Sequence, residues 1–155
     1  MKSVDLLRRE LEEIFKSDCL IMCLGNLDRS DDGIGIYIGQ SLGEKVILAM
    51  NTPVNFLGKI VRRNPEVLVL IDAINGNLDP GDITVSDSRI ILDSGSLTTH
   101  YQEFSNLQQF LQESGVDPII RVIGIQVKDI TLYGKMTDEV KHAGDVVISL
   151  LKHMI

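Results

Sequence analysis

Three stretches of this chain are apolar almost without a break: Cys19–Leu24 (CLIMCL), Val67–Ala73 (VLVLIDA) and Arg121–Val127 (RVIGIQV). A strand with one wet face alternates apolar and polar residues, so unbroken runs of this length mark strands covered on both faces. Between them the spacing becomes helical. Val4, Leu7, Leu11 and Ile14 share one side of a helix over 4–16, opposite Arg8, Arg9, Glu12 and Glu13. Further helices are predicted over Ile34–Leu42, ended by Gly43, and over about Asn55–Arg63, with Phe56, Leu57 and Ile60 inward. Another runs from His100 to Ser114 with Phe104, Leu107, Phe110 and Leu111 inward, and a last one is capped by Thr137 and reaches the C-terminus. Lys45–Met50 reads as a strand, and Ile83–Ser86 and Ile90–Leu92 as short edge strands. Helices alternating with buried strands imply a single three-layer α/β/α domain with a mostly parallel sheet of about five strands. It spans residues 1–155, with an N-terminal helix in 1–17, a core over 19–143 and a C-terminal helix over 137–154.

Charge narrows the partners. The net charge of -7 argues against nucleic acid and anionic membranes, because both are bound through a positive surface. No apolar run approaches the roughly 20 residues that span a bilayer. The N-terminus is an amphipathic helix rather than a signal peptide. The two cysteines, Cys19 and Cys23, would lie about 13 Å apart along one extended strand, too far for a disulfide. The cytoplasm is the expected compartment.

In parallel sheets, ligands gather beyond the carboxyl ends of the strands, at a switch point in the strand order. Asp31-Asp32 follow the first apolar run and Asp72 lies at the end of VLVLIDA. His100 opens a helix in SLTTHYQEF, where Thr99-x-x-Gln102 has the form of a capping box. Each has an ordinary alternative: an acid before a helix caps it, an Asp at a strand end bonds its own loop, and a lone His sits in solvent. His142 and His153 have solvated neighbours and carry no role. Two carboxylates and one imidazole make a hard-to-borderline set suited to nickel, zinc, manganese or iron, with coordination positions left free for substrate or water. The sequence has no HExxH, GxSxG, Walker or GxGxxG motif.

Taken together, these segments resemble the nickel-iron hydrogenase maturation endopeptidases. The opening strand with Gly25-Asn26 and then DDGIG, the stretch PVNFLGKI, VLVLIDA followed by DPGDITV, LTTH, and VIGIQV occur in the family's order from about Cys19 to Ala143. The resemblance implies a protease that removes the C-terminal extension of a [NiFe]-hydrogenase large-subunit precursor once nickel is inserted. Nickel is then carried by the substrate and is the recognition signal. The implied metal-contacting and catalytic positions fall on Asp32, Asp72 and His100, and Asp31 could share the first role. The chain departs from the family at Asn51-Thr52-Pro53, where Asp-Gly-Gly is common, at Val54, where one branch has Glu, and at Glu103-Phe104, where Pro-Leu is usual. These departures bear on the substrate-facing surface.

Rival readings rest on the same residues. A receiver-like phospho-acceptor domain would use the paired acids, Asp72 and Lys128, but gives His100 no part. A peptidyl-tRNA hydrolase shares the Leu-Gly-Asn opening but needs a basic groove. A metallo-aminopeptidase and a non-catalytic relative that binds metal or a partner complete the set.

Overall fold

The computed structural model, which describes residues 2–87 and 98–155, places the three apolar runs side by side at the centre of one sheet. In chain order the elements are α1 (Val4–Ile14), β1 (Cys19–Leu24), α2 (Ile34–Leu42), β2 (Val46–Met50), α3 (Leu57–Arg63), β3 (Val67–Ile74), β4 (Ile83–Asp87), α4 (Tyr101–Glu113), β5 (Ile119–Gln126) and α5 (Asp138–Lys152). Short turns of tighter helix cover Ser30–Gly33 and Pro53–Phe56. The strand order is β2-β1-β3-β5-β4. β1, β2, β3 and β5 are parallel, and β4 joins the edge antiparallel to β5. The expected edge strand at Ile90–Leu92 lies outside the described residues.

Pleating decides what each strand residue meets. In β3 the odd positions Val67, Val69, Ile71 and Ala73 enter one core layer, packed against α1, α2 and α5. Leu68 and Leu70 enter the other, with Ile60 of α3 and Phe104, Leu107 and Leu111 of α4. Both faces of the sheet are therefore dry, and this explains why all eight residues of β3 are buried. Asp72 falls on the even side, the side of α4.

The chain leaves β1 through α2 on one face and returns from β2 to β3 through α3 on the other. The loops after β1 and β3 therefore diverge, which opens a crevice between their carboxyl ends. Asp32 and Asp72 both stand at that edge.

Three expectations need correcting. Phe110 is exposed rather than inward. At 100° per residue it stands about 90° round α4 from the stripe formed by Phe104, Leu107 and Leu111. Thr99 does not cap α4: the capping position is His100, and no side chain bonds the helix amides there. Thr137 does stand at the N-terminal cap of α5, but its hydroxyl also turns away from the helix amides. Cys19 and Cys23 are free thiols. Burial pushes the Cys23 thiol up to about 12.

Candidate active site

The loop after β1 folds tightly back on itself. Gly25 has φ +151°, and a Cβ there would meet the Asp32 carbonyl oxygen at 2.6 Å. That close approach lets Asn26 N–H donate to Asp32 O at 3.1 Å. The Asn26 side chain accepts from Asp28 N–H at 2.9 Å, shaping the turn. Ser30 takes φ +53° and donates its hydroxyl to Thr131 O at 2.6 Å.

The two adjacent acids then part. Asp31 is fully buried. Its carboxylate accepts from the amides of Lys128 and Asp129, each at 2.9 Å, and from the amide of Thr137 at 2.7 Å and its hydroxyl at 2.9 and 3.0 Å. These donors saturate it, so Asp31 ties the loop to the start of α5. Sharing the role of Asp32 would require it to abandon them. Asp32 is nearly as buried, but its Oδ1 has no hydrogen-bond partner. Its Oδ2 stands 3.8 Å from His100 Nε2. Neither the Ser30–Gly33 turn nor α2 receives a side-chain cap, so capping is not the job of Asp32.

His100 is held from below. The Thr99 amide donates to Ala73 O at 3.2 Å, and Thr98 bridges to Ile74, fixing the start of α4 against the end of β3. His100 Nδ1 lies 3.0 Å from Asp72 Oδ1 and 3.3 Å from Oδ2. A carboxylate only accepts, so Nδ1 carries a proton in either charge state: Nε2 donates towards Asp32 when the ring is protonated and turns its lone pair there once the ring is neutral. Thr99 Oγ1 is 2.9 Å from the same Nδ1, and Ala73 N–H donates to Asp72 Oδ1 at 2.8 Å.

The three residues thus form a row, Asp72–His100–gap–Asp32, rather than three groups around one point. Among the described residues, no cluster of three His, Cys, Asp or Glu side chains is arranged to hold a metal ion. Full burial raises Asp72 above the usual carboxylate range, against the hydrogen bond and positive charge of His100. Burial pulls His100 down, but the bond from Asp72 and the charges of Asp72, Asp32 and Glu103 together raise it. Both shifts favour the protonated form of each group.

Above the row is a recess of about 310 Å³ lined by Asn26, Arg29, Asp32, Asn51, Thr99, His100, Glu103 and Ile130. Asp72 lies beneath it. A separate, more apolar cleft of about 260 Å³, bordered by Leu7, Ile83 and Ala143, shares no lining residue with it. The carboxylate and the imidazole nitrogen both face the first recess, which makes it the candidate site. The recess can accept a cation between Asp32 and Nε2, or hold a water beside a base.

Sequence reasoning placed Asp32, Asp72 and His100, and the structure brings all three together. It treated Thr99 only as a cap, whereas its hydroxyl touches both Asp72 and His100. Asn26 entered only as part of the opening motif, and Arg29, which shares the loop of Asp32, was not singled out. Asn51 and Glu103, two of the positions where the sequence departs from the family's pattern, both line the recess. The ammonium of Lys128, which a phospho-acceptor site would need over its acids, pairs instead with Glu139 at 2.9 Å.

Residues 45–153 match a family model described as hydrogenase maturation protease. The hydrogenase 3 maturation protease of Escherichia coli (strain K12) is 28% identical over 139 residues, covering 86% of this chain and 88% of that protein. A crystal structure of a [NiFe] hydrogenase maturation protease from Thermococcus kodakarensis KOD1 superposes with a TM-score of 0.75 at 22% identity, covering 94% of this chain and 97% of that one. A second protease from Thermococcus kodakarensis, named HybD, gives a TM-score of 0.75 at 26% identity over 88% of this chain and 98% of its own.

Proposed function

Because the chain belongs to the hydrogenase maturation protease family, we propose that it removes the C-terminal extension of a [NiFe]-hydrogenase large-subunit precursor after nickel insertion. Nickel arrives with the substrate and serves as the recognition signal. The observation that carries this reading is the buried Asp32 carboxylate, whose Oδ1 has no donor and whose Oδ2 faces Nε2 of His100. A buried carboxylate left unpaired is costly, and a cation offsets that cost. Ligand atoms lie about 2.0–2.2 Å from a first-row metal ion, so two of them stand roughly 3–4 Å apart around it. The 3.8 Å gap is of that size.

In this reading, Asp32 and His100 contact the substrate's nickel, and Asp72 fixes the His100 ring from behind with its proton on Nδ1. Metal ligands are commonly oriented by a carboxylate in this way. A precursor without nickel brings no cation to the recess, so processing follows metal insertion. Hydrolysis adds a water to the scissile carbonyl and sends a proton to the departing amine. Asp32 takes the proton from water and hands it on. Among the described residues lining the recess, Arg29 is the one permanent cation, and it is available to the carbonyl oxygen as charge develops there. No helix among the described residues is long and apolar enough to cross a membrane, and we place the reaction in the cytoplasm.

The test is intact-mass analysis of the large-subunit precursor incubated with the protein, with and without prior nickel loading. Loss of a short C-terminal fragment in the nickel-loaded sample alone is expected. Cleavage regardless of nickel removes the recognition role from Asp32 and His100, and no cleavage in either sample overturns the reading.

A further inference from the structure

Beside the recess, four large apolar side chains stand in water: Leu27, Ile130, Leu132 and Tyr133 are 47%, 37%, 53% and 79% exposed. They belong to two loops, one after β1 and one after β5, that are cross-linked at several points. Asp31 N–H donates to Asp129 O at 3.0 Å, Ser30 Oγ to Thr131 O at 2.6 Å, and Tyr133 N–H to Asp28 O at 2.5 Å. The Thr131 amide closes a turn on the Asp129 carboxylate at 2.8 Å, and the Asp31 carboxylate grips the amides of Lys128 and Asp129. The side chains are therefore held outward by a well-bonded frame.

Tyr133 is the telling member. Its φ is +62°, a region that a tyrosine enters only under strain. The strained backbone aims an aromatic ring into solvent, where the fold gains nothing from it, and the phenol has no hydrogen-bond partner among the described residues. Strain kept at such a position points to function. Clustered exposed apolar groups mark binding surfaces, and tyrosine is among the side chains that dominate them.

We propose that Leu27, Ile130, Leu132 and Tyr133 dock an apolar patch on the folded body of the precursor whose tail enters the recess. The occupant follows from continuity: Ile130 lines the recess and also belongs to the exposed cluster. A chain threaded to Asp32 brings its parent body over these residues. The proposal rests on the protease reading for the identity of the partner. It adds that recognition has an apolar component outside the metal-contacting row.

The experiment compares wild type with Tyr133→Gly, and with Tyr133→Gly combined with Leu132→Ser. It measures KM and kcat on nickel-loaded precursor, Kd for the same precursor, and the thermal midpoint. Glycine adopts φ +62° without strain, so Tyr133→Gly keeps or raises the midpoint, whereas a purely structural tyrosine would lower it. KM and Kd are expected to rise about tenfold or more in the double variant, with kcat changed less than about twofold. If wild type cleaves and the variants keep its KM and Kd, the docking surface is overturned and the protease reading stands. If wild type binds the precursor without cleaving it and the variants bind more weakly, the surface stands and the protease reading fails. If wild type neither binds nor cleaves, both fall.

Discussion

Asp31 and Asp32 are adjacent carboxylates with opposite duties, and their environments show which is which. Asp31 is saturated by three amides and a hydroxyl. Asp31→Ala strands those buried donors and should destabilise the protein by about 3–5 kcal/mol, since hydrogen bonds to a charged group are worth about 1.5–3 kcal/mol each and do not add fully. Urea unfolding checks this; a loss below about 1 kcal/mol would show that water replaces the carboxylate freely. Asp32 carries a buried, unpartnered oxygen in a site that already holds Asp72. Asp32→Asn removes a negative charge from that site, so it should abolish processing yet raise stability by about 1 kcal/mol, the trade expected where function keeps a strained group. Calorimetry alongside the cleavage assay decides; retained processing would take the base and ligand role away from Asp32. Asp72 was legible in the sequence because it breaks an apolar run, Asp32 because it stands where the polar loop after the first run meets a helix, and His100 because it opens a helix in LTTH. The division of labour between the two acids was not, because it depends on amides from 128–137, nearly a hundred residues further on. Thr99 and Thr137 show the same limit: both have capping chemistry, but acids from distant segments claim their hydroxyls.

Among the elements, α2 fixes the site most directly, because the loop bearing Asp32 runs into it. The helix lies almost on the sheet. A Cβ at Gly35 would meet the carbonyl oxygens of Leu24 at 2.1 Å and Ile71 at 2.6 Å. Those are backbone atoms at the ends of β1 and beside Asp72 in β3, and neither can move without moving the site. Gly35→Ala should therefore destabilise the fold by about 3 kcal/mol, the upper part of the range for overpacking a tight contact. It should also displace Asp32 from His100, lowering kcat more than the stability loss alone explains. Urea midpoints and single-turnover cleavage at a temperature where the variant stays folded separate the two effects. A wild-type midpoint would mean that α2 has room to slide. The bounds of β1 and α2 were legible because an unbroken apolar run and a terminal glycine are local signals. The placing of Phe110 was not, since an aromatic at the edge of a helical stripe is inward or outward according to what packs beside it.

For the whole molecule, the sequence reveals the layers but not the strand order, because order depends on which face each crossover takes. That choice creates the crevice between β1 and β3 and buries Asp72 beneath His100, and the burial has a global consequence. Both members of the pair are raised, His100 above 6.5 and Asp72 above 3.8. A raised group binds its proton more tightly in the native state than in the unfolded one. Its contribution to stability is complete below the unfolded value and is lost as pH rises through the folded value. The lowered carboxylates, Asp18, Asp129 and Glu139, act only in acid, below their ordinary values. The raised Lys16, Lys128, Arg63, Tyr37, Cys19 and Cys23 act only at alkaline pH, from near their ordinary values upward. From about pH 6 to 8 the Asp72–His100 pair therefore governs the slope. The thermal midpoint of chelator-treated protein should fall steadily across that window, and His100→Gln, which cannot take up the proton, should flatten the fall. A midpoint that rises with pH, or a slope that His100→Gln leaves unchanged, would mean that the folded protein does not hold a His100 imidazolium between Asp72 and Asp32.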